Sequence, residues 1–182
     1  MNTKSKAPEE VALTISRPEL LVGGSDAEFR KLVHNLFAFL ARHESIRNGH
    51  GRFIGLAGVE YSVLISIAHL ASLGPVNIAT VADHLHVSGT FVTRIVKVLE
   101  KKGLVRKTTS SDDRRRVNVA VTHEGWTELE RLSVVQRQVN DIEFGPLTSD
   151  EFAGLNDIVE RLIDASENAL AMQNYLEKTQ RE

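Results

Sequence analysis

Two groups of cationic residues in the middle of the chain have the chemistry to hold a polyanion. Arg94, Lys97 and Lys101 recur at three- and four-residue spacing, and Arg114, Arg115 and Arg116 follow directly on Asp112 and Asp113. Like charges this close repel one another, so phosphate oxygens are their natural counter-charge. Arginine adds geometry to charge. Its planar fork matches the two acceptors of guanine in the major groove, and an arginine carried on a β-ribbon can enter the minor groove, where narrowing concentrates negative potential. Thr90 and Thr93, beside Arg94, bring hydroxyls that reach base edges, a thymine methyl or a phosphate. Ser88 reads as a helix cap whose neighbouring amides face a phosphate, and Lys97 and Lys101 as contacts to backbone oxygens. Taken singly, each group also fits a solvated helix face or an ordinary charged hairpin tip.

What separates these readings is the set of elements that must carry the residues. Val92, Ile95, Val96 and Leu99 stay within about 60° of one another at helical periodicity, whereas Thr90, Thr93, Arg94, Lys97 and Lys101 fall on the opposite side. The segment 89–102 is therefore expected to be a helix with one core face and one polar, basic face, opened by Ser88 and closed by Gly103. Before it, Asn77 is a plausible cap for a short helix with Ile78, Val81, Ala82 and Leu85 inward. After it, 104–108 reads as extended, the tip 110–116 is polar, and Val117, Asn118, Val119, Ala120, Val121 alternate as a half-buried strand does. Two short helices, a tight turn and a hairpin in that order describe a winged helix-turn-helix over 56–122.

The flanks read as helices. Residues 1–24, broken by Pro8, Pro18 and Gly23-Gly24, are expected to be a flexible arm. Ser25 and Glu28 have the spacing of a reciprocal capping box for a helix with Phe29, Leu32, Val33, Leu36 and Leu40 as its stripe, fading near 47–51. A second helix is expected over 58–72, stopped by Gly74-Pro75. Thr122 caps a long helix with Trp126, Leu129, Leu132, Val135, Val139 and Ile142 at burial spacing, broken at Gly145-Pro146. Thr148 and Glu151 form another capping box for a last helix striped by Phe152, Leu155, Val159, Leu162, Ile163, Ala169 and Leu170. Phe29, Phe37, Phe39, Phe53 and Trp126 are expected in the core. The fold class is mainly α with a small β-wing, plus a helical dimerisation region made of 25–55 and 123–182. These terminal stripes hold more apolar surface than one small winged domain can cover, which points to a partner surface, most simply a two-fold dimer.

Composition narrows the function classes. At 182 residues, 42% hydrophobic and 25% charged, the chain is ordinary for a globular protein able to bury a core. The net charge of −2 hides a division: 74–122 carries nine Lys/Arg against four Asp/Glu, or +5, and the remainder carries 13 against 20, or −7. A basic patch on an otherwise acidic chain suits a binder that holds phosphates on one face. The absence of cysteine excludes disulfides and thiolate sites. No apolar run approaches the roughly 18 residues of a membrane span, and the first ten residues lack a signal-peptide core, so a cytoplasmic location and no membrane partner are expected. The histidines, His34, His43, His50, His69, His84, His86 and His123, show no compact ligand spacing, so satisfied or exposed histidines are favoured over a metal-sensing site assembled across helices, and neither a metal nor a cofactor is expected. With no Ser/His/Asp order, phosphate-cradling glycine loop or paired carboxylates standing out, the chain does not read as an enzyme.

The segment VSGTFVTRIVKVLEKKGLV at 87–105, followed by DDRRRVNVAVTHEG at 112–125, resembles the MarR family of winged-helix transcriptional regulators, and the resemblance extends over about 25–172 in order of elements. It implies a homodimer with interlocking first and last helices on a pseudo-palindromic operator in double-stranded DNA. It also implies that Arg115 is the wing arginine entering the minor groove, that Asp113 holds it, and that a small aromatic acid is the effector. One departure is Leu56, Ala57, Gly58, Val59, where many members open the second helix with Leu-Thr-Pro. The alternative is a winged-helix module that binds protein without sequence-specific DNA binding.

Overall fold

Residues 12–109 and 117–180 are described by the structure, a computed structural model. Among them run a 3-10 turn at Pro18–Leu20 and helices α1 (Ala27–Phe53), α2 (Gly58–Leu70), α3 (Ile78–Leu85) and α4 (Gly89–Lys101). These are followed by strands β1 (Val105–Thr109) and β2 (Val117–Val121) and helices α5 (His123–Phe144) and α6 (Ser149–Thr179). This is the expected mainly helical fold with a two-stranded wing. The chain divides into two units, 1–129 and 130–182.

In the first unit α2 is the hub: α1, α3, α4 and β2 all pack on it, and α3 packs on α4. The reason is composition, because Val63, Leu64 and Ile67 of α2 are fully buried, as are Val81 of α3 and Val92, Val96 and Leu99 of α4. The strands pair antiparallel, with Val105 opposite Val121 and Thr109 opposite Val117. Val119 and Val121 turn inward, and the Val119 amide donates to the Val76 carbonyl at 2.8 Å, so the segment before α3 extends the sheet edge.

Three local expectations differ from the structure. The capping box at Ser25 and Glu28 does not form: Ser25 Oγ accepts from the Ala27 amide, and Glu28 pairs with Lys31 at 3.1 Å. The residue at that helix start is Asp26, which is buried and turned toward other partners. It accepts from the Thr14 amide and hydroxyl, each at 2.7 Å, and pairs with Arg30 at 2.7 Å. Next, α1 does not fade at 47–51 but continues to Phe53, because burial of His50 and Gly51 holds the last turns in place. Finally, the large aromatics do not fill the core of the single chain. Phe37 is 66% exposed and Trp126 is 48% exposed, with Phe39 and Phe53 also exposed, because aliphatic side chains already fill the small winged core.

In the second unit Thr148 and Glu151 do form the expected reciprocal cap, the Thr148 amide donating to Glu151 Oε2 at 2.8 Å and the Glu151 amide to Thr148 Oγ1 at 3.3 Å. All of α6 is exposed. Phe144, Leu147, Phe152, Leu155 and Val159 line an open apolar groove of about 180 Å³ where α6 begins.

Candidate nucleic-acid interface

The site is built on α4, and its placement begins with the turn before it. Asn77 Oδ1 accepts from the Thr80 amide at 3.0 Å and starts α3. His86 ends α3 in the left-handed region at φ 51°, and the Val87 amide returns to the Ala82 carbonyl. Ser88 Oγ then accepts from the Phe91 amide at 3.2 Å, so Ser88 serves as the cap its sequence position predicts.

Along α4 the two faces separate as the spacing requires. Val92, Ile95, Val96 and Leu99 are at most 5% exposed, while Thr90, Arg94, Lys97 and Lys101 are exposed together on the other side. Thr93 is half-buried and its hydroxyl donates to the Gly89 carbonyl at 2.8 Å, which leaves its methyl and oxygen lone pairs for a ligand. Arg94 is not a freely swinging side chain. Its guanidinium lies over the Phe91 ring, 5.5 Å from the centroid, an interaction that narrows the volume the fork explores. Sequence reasoning missed Phe91, although an aromatic three residues before an arginine on a helix is a readable signal.

Two cations of the basic segment are held in ion pairs within the fold. Lys102 Nζ donates to Glu60 Oε2 at 2.7 Å and to the Gly55 carbonyl at 3.1 Å, tying the end of α4 to the start of α2. Burial would raise the Glu60 carboxyl, but the Lys102 ammonium and the Ala57 amide hold it below the ordinary carboxylate value. The same Glu60–Ala57 bond, at 3.1 Å, caps α2 where the Leu-Thr-Pro opening is missing. Lys107 of β1 pairs with Glu100 of α4 at 2.9 Å and so fixes the base of the wing against the helix.

The wing base is also held from behind. Gly103 closes α4 at φ 74°, Thr122 Oγ1 donates to its carbonyl at 2.6 Å, and the Gly125 amide donates to Thr122 Oγ1 at 3.0 Å. A side chain at Gly125 would strike the Leu104 carbonyl and come within 2.7 Å of Val121 Cγ1. Asp113, Arg114, Arg115 and Arg116 lie outside the described residues. The structure therefore brings together Ser88, Thr90, Arg94, Lys97 and Lys101 on one helix, with Thr93 at its margin. Among the described residues no group of three or more His, Cys, Asp or Glu could hold a metal ion, and no single helix is long and apolar enough to cross a membrane.

A helix-turn-helix with a hairpin behind it is a geometry that known proteins share. BldR, a transcriptional regulator from Sulfolobus solfataricus, superposes with a TM-score of 0.60 at 26% identity, covering 74% of this chain and 96% of that one. The regulator PapX of Escherichia coli is 29% identical over 126 residues, 66% of this chain and 75% of its own length. The regulator SarZ of Staphylococcus saprophyticus is 32% identical over 104 residues, 57% of this chain and 68% of its own length. A family model described as the MarR family matches 54–116, from just before α2 through Arg116. With the motif, the fold and these relatives in agreement, the chain belongs to the MarR family of winged helix-turn-helix transcriptional regulators.

Proposed function

We propose that the protein is a sequence-specific repressor that acts as a homodimer on a pseudo-palindromic operator. The observation that carries this reading is the segregated face of α4, with Arg94 stacked on Phe91 and Thr90, Lys97 and Lys101 exposed alongside it. In the proposed complex α4 lies in the major groove, where Arg94 reads a guanine, Thr90 and Thr93 touch neighbouring bases, and Lys97, Lys101 and the amides beside the Ser88 cap meet phosphates. Arg115, oriented by Asp113, enters the minor groove, and Arg114 and Arg116 hold its walls. The winged domain 56–122 reads DNA, and 25–55 with 123–182 forms the dimerisation region. Two copies set the recognition helices about 34 Å apart, one turn of the duplex, and the occupied promoter excludes polymerase. A small aromatic acid releasing the DNA rests on the family resemblance, and residence in the cytoplasm on the sequence pattern.

Gel shifts with the DNA upstream of the chain's own reading frame test the proposal. Arg94→Ala and Arg115→Ala are each expected to weaken specific binding by ~1 to 3 kcal/mol, and affinity should fall steeply with salt. Unchanged affinity in both variants, with no salt slope, would instead favour a winged-helix module that binds protein.

A further inference from the structure

His69 lies in the last turn of α2 and His84 in the last turn of α3, and the packing of these helices brings their ring centroids to 5.6 Å with the planes 34° apart. Both side chains are exposed. Two imidazoles bound to one tetrahedral ion at metal–nitrogen distances of about 2.0 to 2.1 Å have centroids roughly 5 to 5.5 Å apart. The observed spacing lies close to that range, and the broad χ2 torsion of histidine lets each ring turn a nitrogen toward the space between them. Each ring also sits at a helix C-terminus, where the carbonyl ends of the backbone dipoles favour a cation.

We propose that His69 and His84 form a surface site for a divalent transition-metal ion of the zinc, nickel and copper class, with water completing its coordination. Imidazole nitrogen suits these ions, whereas magnesium and calcium require oxygen ligands. Among the described residues no third His, Cys, Asp or Glu joins the pair, so the site is open and exchangeable, unlike a four-ligand structural zinc. Partial desolvation and the neighbouring His69 and His86 disfavour positive charge on His84, as does Arg47. Its guanidinium is held aside by Ser62 Oγ at 3.1 Å and over the Tyr61 ring at 5.8 Å. A bound ion bridges α2 to α3 immediately before the turn that leads into α4. The site does not depend on whether α4 reads DNA.

Calorimetric titration of the full chain with Zn2+ near pH 7.5 tests the assignment. The expected result is a binding event weakened at least tenfold in both His69→Gln and His84→Gln and unchanged in His34→Gln, with no heat from Mg2+. NMR of the wild-type imidazoles needs no variant: Zn2+ should shift His69 and His84 before His34 or His123. Absence of binding, wild-type isotherms in both glutamine variants, or earlier shifts at other histidines overturns the proposal.

Discussion

At the scale of single residues the pair formed by Phe91 and Arg94 carries the most chemistry. A guanidinium resting over a ring has already given up part of its rotamer freedom, so less entropy is lost when it engages a base edge. Phe91→Ala is expected to weaken operator binding by ~0.5 to 1 kcal/mol, less than Arg94→Ala, and Phe91→Tyr should retain wild-type affinity. Quantitative gel shifts measure both. Ser88 separates cleanly from these two, because its side chain serves the helix start. Ser88→Ala should cost ~1 kcal/mol of stability in urea unfolding, whereas Arg94→Ala, which removes an exposed side chain, should cost almost none. Arg94 itself was legible from its position on the polar face of α4. That Phe91 supports it required the side-chain placement, since a half-buried aromatic equally suits the core.

At the scale of elements, α4 is fixed at both ends by contacts far apart in the chain. Lys102 reaches Glu60 and Gly55 across 42 and 47 positions, and Lys107 reaches back to Glu100 from the wing. Because the folded Glu60 carboxyl lies below its ordinary value of 4.5, its bonds add stability above that pH. That contribution is lost as pH falls through the lower folded value. Glu60→Gln should therefore lower stability at pH 7 and flatten the acid limb of the stability curve below about pH 4.5, as thermal unfolding across pH would record. Gly125 poses a different constraint, because the atom it avoids is the Leu104 main-chain carbonyl, which cannot rotate away. Gly125→Ala should destabilise the wing base by ~1 to 3 kcal/mol, read as a lowered melting temperature. The caps at Asn77, Ser88, Thr122 and Thr148 were all readable locally, since a cap is a bond between residues three apart. The failed box at Ser25 shows the limit of that logic: Asp26 found Thr14 twelve residues upstream and Arg30 within the helix, and the start of α1 shifted to suit.

At the scale of the whole molecule, two properties of the surface remain to be satisfied. The first is charge, with +5 over 74–122 and −7 elsewhere, which orients the protein toward an anionic surface while limiting nonspecific retention. The second is exposed apolar area. On α1, Leu32, Leu36, Phe37 and Leu40 are 42 to 66% exposed, and on α6 Phe152, Leu162, Ile163 and Leu170 are 49 to 62% exposed. Apolar stripes of this extent on helices suit burial against a second copy. Leu162→Glu, which places a charge within the α6 stripe, should shift the sedimentation coefficient from that of the proposed dimer to that of a monomer. It should also weaken operator binding by at least tenfold, because one half-site alone forfeits the advantage of linked binding.

The amino-acid sequence by itself determined the order and type of the elements, the two faces of α4 and most of the helix caps. Each of these is set by residues within a turn or two of one another, where periodicity and side-chain-to-backbone bonds act without help. Only the tertiary structure decided that Phe37 and Trp126 stay outside the core of the single chain, and that Lys102 and Lys107 are held in ion pairs. It alone brought His69 beside His84. Those outcomes depend on which helix packs on which, a competition for burial among distant segments that no local spacing encodes.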